Sequence, residues 1–126
     1  MPDYAQMLAQ LDAGTLDPST FSHTAHIGIT VQALTEGDFY TAHARIARGL
    51  QRLTTAAGAP KKFNATLTFA WLSEIARRYV PDQTPNDFLR ALPELAQLDL
   101  RQIYPADLIQ SELARRVPLL PVQTEP

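Results

Sequence analysis

Two of the three histidines stand three residues apart in Phe21-Ser22-His23-Thr24-Ala25-His26, at the start of an otherwise apolar helical run. Residues at that spacing share one face of a helix, so both imidazoles can address a single point. Such a pair suits ligation of a divalent transition metal (zinc, iron, nickel or copper), general acid/base catalysis, or a buried polar anchor that caps or hydrogen-bonds. Two ligands are too few for a tight metal site. His43 lies on the apolar seam of the following stretch. If the two helices pack side by side, it would complete a three-histidine site with His23 and His26; otherwise it is an inward ring satisfied by a carbonyl or hydroxyl.

A second group of polar side chains, Asn64, Thr66 and Thr68, follows Phe63 at the entry to another apolar run. These residue types cap helices, and a helix start also favours anions, so a substrate carboxylate is the functional alternative. Trp71 and Tyr104 are candidates to line a pocket, against the alternative that aromatics at helical spacing belong to the core. Glu74 is expected to pair with Arg78, four residues on. No phosphate loop, dinucleotide fingerprint, nucleophile elbow or calcium loop is present. The absence of cysteine removes disulfides, thiolate metal sites and thiol nucleophiles. Histidine and its polar neighbours must carry any catalysis.

The elements that would position these residues read as helices. Tyr4, Met7, Leu8 and Leu11 have helical spacing, and Gly14 marks an exit. After Asp17-Pro18-Ser19-Thr20, any of Ser19, Thr20 or Ser22 caps a second helix running to about Leu34 and closed by Glu36-Gly37. It carries no charge on either of its two apolar stripes, so a central, buried position is predicted. Asp38 caps a third helix, with Phe39, Ile46, Leu50 and Leu53 on one seam, ending near Ala57-Gly58. A fourth begins between Phe63 and Thr68 and runs through Leu67, Trp71, Ile75 and Tyr79 before Pro81. Thr84-Pro85-Asn86-Asp87 announces a fifth, carrying Phe88, Leu92 and Leu95 and open to a break at Pro93. Short helical pieces follow around Leu108-Ile109 and Leu113-Ala114, with Ser111 as a cap, then an extended tail from about residue 117 containing Pro118, Pro121 and Pro126. The expected fold class is all-α: one compact domain over 1–126, a bundle of four or five main helices plus the C-terminal pieces.

Taken together, these segments resemble a largely uncharacterised family of small bacterial all-helical proteins. Its pattern runs from aromatic-x-His-x-x-His through Tyr-His-Glu-Thr-x-Thr to a C-terminal Tyr-x-x-x-x-Leu-x-Ser-x-x-Ala-Arg. Phe21, His23 and His26 match the first segment, Thr66 and Thr68 the second, and Tyr104, Leu108 or Ile109, Ser111, Ala114 and Arg115 the third. Where the pattern has Tyr-His-Glu-Thr, this chain has Phe63-Asn64-Ala65-Thr66, so a histidine and a carboxylate are missing. The resemblance implies either a metal site that has lost half its ligands or an acid/base pocket in which Asn64 hydrogen-bonds the substrate. Arg115 would bind an anionic substrate, or tie the C-terminal segment to the bundle.

With 45% apolar residues and a formal charge of -2, the composition is that of an ordinary globular domain with no general attraction to nucleic acid. No stretch is long and apolar enough to span a bilayer, and the first residues lack an export pattern, so a cytoplasmic address is expected, with no membrane partner. The leading functional reading is a small enzyme acting on a small metabolite in a pocket between the second and fourth helices. It would use His23 and His26 with Asn64 for non-redox chemistry: isomerisation, dehydration, cyclisation or hydrolysis. Thr66, Thr68, Trp71, Tyr104 and Arg115 would bind substrate, and His23, His26 and His43 any divalent metal, although no cofactor is required. The second reading is a non-catalytic member that binds a ligand or partner after losing the His-Glu pair. A homodimer through an exposed apolar helix face is the third.

Overall fold

Ser22 starts the helix around which everything else is arranged. Its hydroxyl accepts the N–H of Ala25 at 3.0 Å, so the helix begins at His23 and runs to Glu36. A computed structural model describes residues 2–121. In it this segment is α2 (His23–Glu36), preceded by α1 (Tyr4–Ala13) and followed by α3 (Phe39–Ala56), α4 (Ala65–Arg78), α5 (Pro85–Ala91), α6 (Ala106–Ile109) and α7 (Glu112–Arg116). Single 3-10 turns occupy Pro18–Thr20, Pro60–Lys62, Pro93–Gln97 and Leu100–Ile103. Among the described residues there is no strand, and the fold is all-α.

The predicted caps act as expected: Asp38 accepts from Thr41 N–H, Thr84 from Asp87 N–H and Ser111 from Ala114 N–H. Of the three candidates before α2, Ser22 is the cap; Thr20 instead donates to the Asp17 carbonyl. Gly14 closes α1 with φ 76, in the left-handed region that favours glycine. The fifth helix is shorter than its apolar spacing implies. Proline has no N–H and disfavours helical geometry in the residue before it, so Leu92 takes φ -131 and α5 stops at Ala91. Leu95 is buried from the following 3-10 turn instead. Tyr79 likewise lies just outside α4, as its C-cap. Pro126 falls outside the described residues.

α2 is central, as its uncharged stripes predict. Ile29 and Ala33 on one side join Tyr4, Leu8, Leu11, Ala42 and Ile46 in a core shared with α1 and α3. Ile27 and Val31 on the other join Trp71, Ile75, Phe88, Leu95 and Leu100 from the second half of the chain. Each fully buried aliphatic or aromatic side chain contributes roughly 1.5–3 kcal/mol relative to exposure. Two glycines allow α1 to approach this closely: a Cβ on Gly28 would lie 2.4 Å from the Tyr4 ring, and one on Gly49 2.4 Å from Leu11 Cγ. Arg45 of α3 then ties the ends of the first two helices, 2.6 Å from Asp12 and 2.8 Å from Glu36.

Candidate functional site

Because Ser22 caps α2, His23 is its first residue and His26 follows one turn later. Their rings do meet, with centroids 6.5 Å apart in an edge arrangement. His23 is exposed and sets its ring edgewise on Trp71 of α4, 4.6 Å between centroids. His26 is half-buried and packs on Phe21 at 5.5 Å. Loss of solvation lowers the His23 pKa below the usual imidazole value. His26 is pushed down to about 4, by burial first and by the neighbouring His23 charge second. Both rings are therefore neutral at pH 7, with a lone pair available to accept a proton.

His43 belongs to a different environment. It stacks on Phe39 at 6.4 Å and meets Phe69 of α4 edgewise at 5.5 Å, and desolvation lowers its pKa. Among the described residues no three His, Cys, Asp or Glu side chains converge to hold a metal ion. The three-histidine arrangement is therefore not formed: the ring on α3 is committed to an aromatic cluster with α4 while the pair on α2 faces Phe21 and Trp71.

Between α2 and α4 lies a concavity of about 310 Å³, lined by His23, Leu67 and Trp71 and closed by Leu98-Asp99-Leu100-Arg101. Asp99 and Arg101 were not singled out from the sequence. Asp99 caps the 3-10 turn that contains Arg101, where no spacing rule applies, and the packing of Leu100 into the core sets both on the wall of the concavity that His23 lines.

The start of α4 corrects several expectations. Asn64 is the N-cap: its side-chain oxygen accepts from Leu67 N–H at 3.0 Å, and its amide donates to the Ile109 carbonyl at 3.0 Å. It anchors the C-terminal segment to the helix start, with both ends of its amide engaged instead of free for catalysis. Thr66 is 1% exposed, and its hydroxyl lies 2.9 Å from the carbonyl oxygens of both Ala114 and Val117 while accepting from Leu119 N–H. Thr68 is also buried and donates to the Asn64 carbonyl at 2.8 Å. Both hydroxyls are buried and engaged with backbone groups instead of lining the His23 concavity. Glu74 pairs with Arg78, as four-residue spacing implies, and with Arg77, and the Arg78 hydrogen bond holds its carboxyl below the usual range.

Of the remaining binding candidates, Trp71 lines the His23 concavity, whereas Tyr104 lies in a separate hollow of about 380 Å³ with Phe69, Glu74 and Leu120. Arg115 donates to the Gln110 carbonyl at 3.2 Å and also lines a third, larger concavity, with Asn64, next to the His23 site. Among the described residues no helix is long and apolar enough to cross a membrane. Comparison with protein-family models, with curated proteins and with solved structures finds no match for this chain.

Proposed function

We propose that the chain acts on a small metabolite by histidine-based acid/base chemistry of a non-redox kind, with His23 as the residue that exchanges the proton. The observation that supports this is the position of His23: an exposed imidazole, held against Trp71 and neutral near pH 7, at the wall of the concavity between α2 and α4. A neutral imidazole with a lowered pKa serves as a general base, and becomes a general acid once protonated. Partial desolvation keeps His23 toward the neutral form, and His26 beside it stays uncharged until well below neutrality. Asp99, on the same wall, is the carboxylate that could orient His23 or stabilise its protonated form.

The acid/base form is favoured over a metal-assisted one, since His23 and His26 supply two nitrogen ligands and among the described residues no third group joins them. The test is to screen metabolites for conversion by mass spectrometry with the wild type and with His23→Ala, and to titrate zinc, nickel and manganese with thermal unfolding as the readout. Conversion lost in His23→Ala while the circular dichroism spectrum is unchanged supports the reading. Conversion that persists in the variant overturns it. A metal-dependent rise in melting temperature that vanishes in His23→Ala would replace the acid/base form by the metal-assisted one.

A second reading is a non-catalytic binder. It draws on the start of α4, where the residues standing in place of the family's His-Glu pair, Asn64 and the buried Ala65, anchor the C-terminal segment and present no titratable group. Ligand binding without conversion of any ligand would favour it.

A further inference from the structure

A concavity of about 550 Å³ lies against the start of α4, beside the His23 site. Its polar walls are Lys61 and Lys62 from the 3-10 turn before α4, Asn64, Arg101, Gln110 and Arg115, and it has no carboxylate in its lining. Among the described residues none of those four cations takes part in an ion pair, whereas Arg45, Arg77, Arg78 and Arg90 each do. The concentration of charge is notable because the chain as a whole carries -2. The neighbouring carboxylates, Asp99 beside Arg101 and Glu112 beside Lys61 and Arg115, line the adjoining hollows and among the described residues form no ion pair with these cations, so an anion within the concavity would relieve their mutual repulsion. The volume lies within the range of small-ligand sites, roughly 300–1,000 Å³. Leu67 and Arg101 line both this concavity and the one that holds His23, so the two are joined edge to edge.

We infer that this cationic concavity binds the anionic part of a small molecule carrying a multiply charged group, phosphoryl or polycarboxylate, whose remainder extends past Leu67 and Arg101 toward His23 and Trp71. Arg115 and Arg101 offer planar guanidinium donors for paired oxygens, and Lys61 and Lys62 add compact charge. The Arg115 contact with the Gln110 carbonyl uses one nitrogen and leaves the others for a ligand. This inference names the substrate class for the reading given above and rests on it, but the anion site can be tested separately.

Calorimetric titration of the full chain with pyrophosphate and with citrate at fixed ionic strength is the direct test. The expected result is saturable one-to-one binding of at least one of them, weakening as sodium chloride rises. Binding of pyrophosphate alone assigns a phosphoryl ligand, and binding of citrate alone a polycarboxylate. Lys62→Glu and Arg101→Glu should each weaken the interaction about tenfold or more, while Arg48→Glu, on an exposed part of α3, leaves it unchanged. His23→Ala should bind the anion as the wild type does, so loss of conversion in that variant with retained binding separates the two proposals. No saturable binding of either anion overturns the inference, as does equal weakening by Arg48→Glu. Tighter binding of a single-stranded oligonucleotide, with a salt dependence of several released ions, also overturns it in favour of a nucleic-acid surface.

Discussion

The starts of α2 and α4 are built alike and used differently. Each opens on a polar cap, Ser22 or Asn64, and each places side chains capable of chemistry in its first turns. At α2 the cap satisfies the backbone alone, and the side chains of His23 and His26 pack on aromatic rings without taking a backbone hydrogen bond among the described residues. At α4 the segment from Ile109 to Leu119 lies over the helix start and brings carbonyls and an N–H that must be paired, and Asn64 and Thr66 pair them. A polar side chain near a helix start is available to a ligand only when no buried backbone group requires it. Residue type alone does not distinguish the two cases.

The sharpest break of this comparison is Thr66→Val. The isostere leaves Leu119 N–H and two carbonyls without their buried hydroxyl partner, and should cost about 2–3 kcal/mol in urea unfolding. Asn64→Ala removes a cap and the bond to Ile109, with an expected loss of about 1–2 kcal/mol. If either variant were as stable as the wild type, the start of α4 would not clasp the C-terminal segment.

Acid titration probes the other helix. His26 titrates at about 4 in the folded chain against 6.5 for the ordinary group, so between those values the unfolded chain binds the extra proton. Stability should be full above pH 6.5 and decline as the pH falls toward 4, by about 1–2 kcal/mol once the partial exposure of the ring is taken into account. His26→Phe should flatten that slope. The smallest stability effect is expected for His23→Ala, within about 0.5 kcal/mol, because the ring is exposed and contributes no cap. A larger loss would make His23 a packing residue and erase the contrast with Thr66.

The helices were legible because their signals are local. Asp38, Thr84 and Ser111 each cap a helix through an N–H three residues on, and Pro93 ends α5 by its own geometry. The burial of α2 followed from two stripes without charge, whereas the contact of Trp71 with His23 depends on how α2 and α4 pack. The readings that changed depend on partners far along the chain: Asn64 bonds a carbonyl 45 residues away, and Thr66 meets one 48 residues away. His43 was placed on the correct seam, yet which aromatic or histidine it would meet depended on how α3 lies against α4.

The sequence by itself determined an all-helical chain, its main boundaries, the paired histidines at the start of its central helix and the absence of thiol chemistry, since these follow from composition and from interactions within a few residues. Tertiary structure alone decided that Asn64 and Thr66 hold the C-terminal segment, that Asp99 and Arg101 share a concavity with His23, and that Lys61, Lys62, Arg101 and Arg115 gather in one concavity of a chain with negative net charge. Packing distant segments around a shared core sets those distances, and no local rule of spacing contains them.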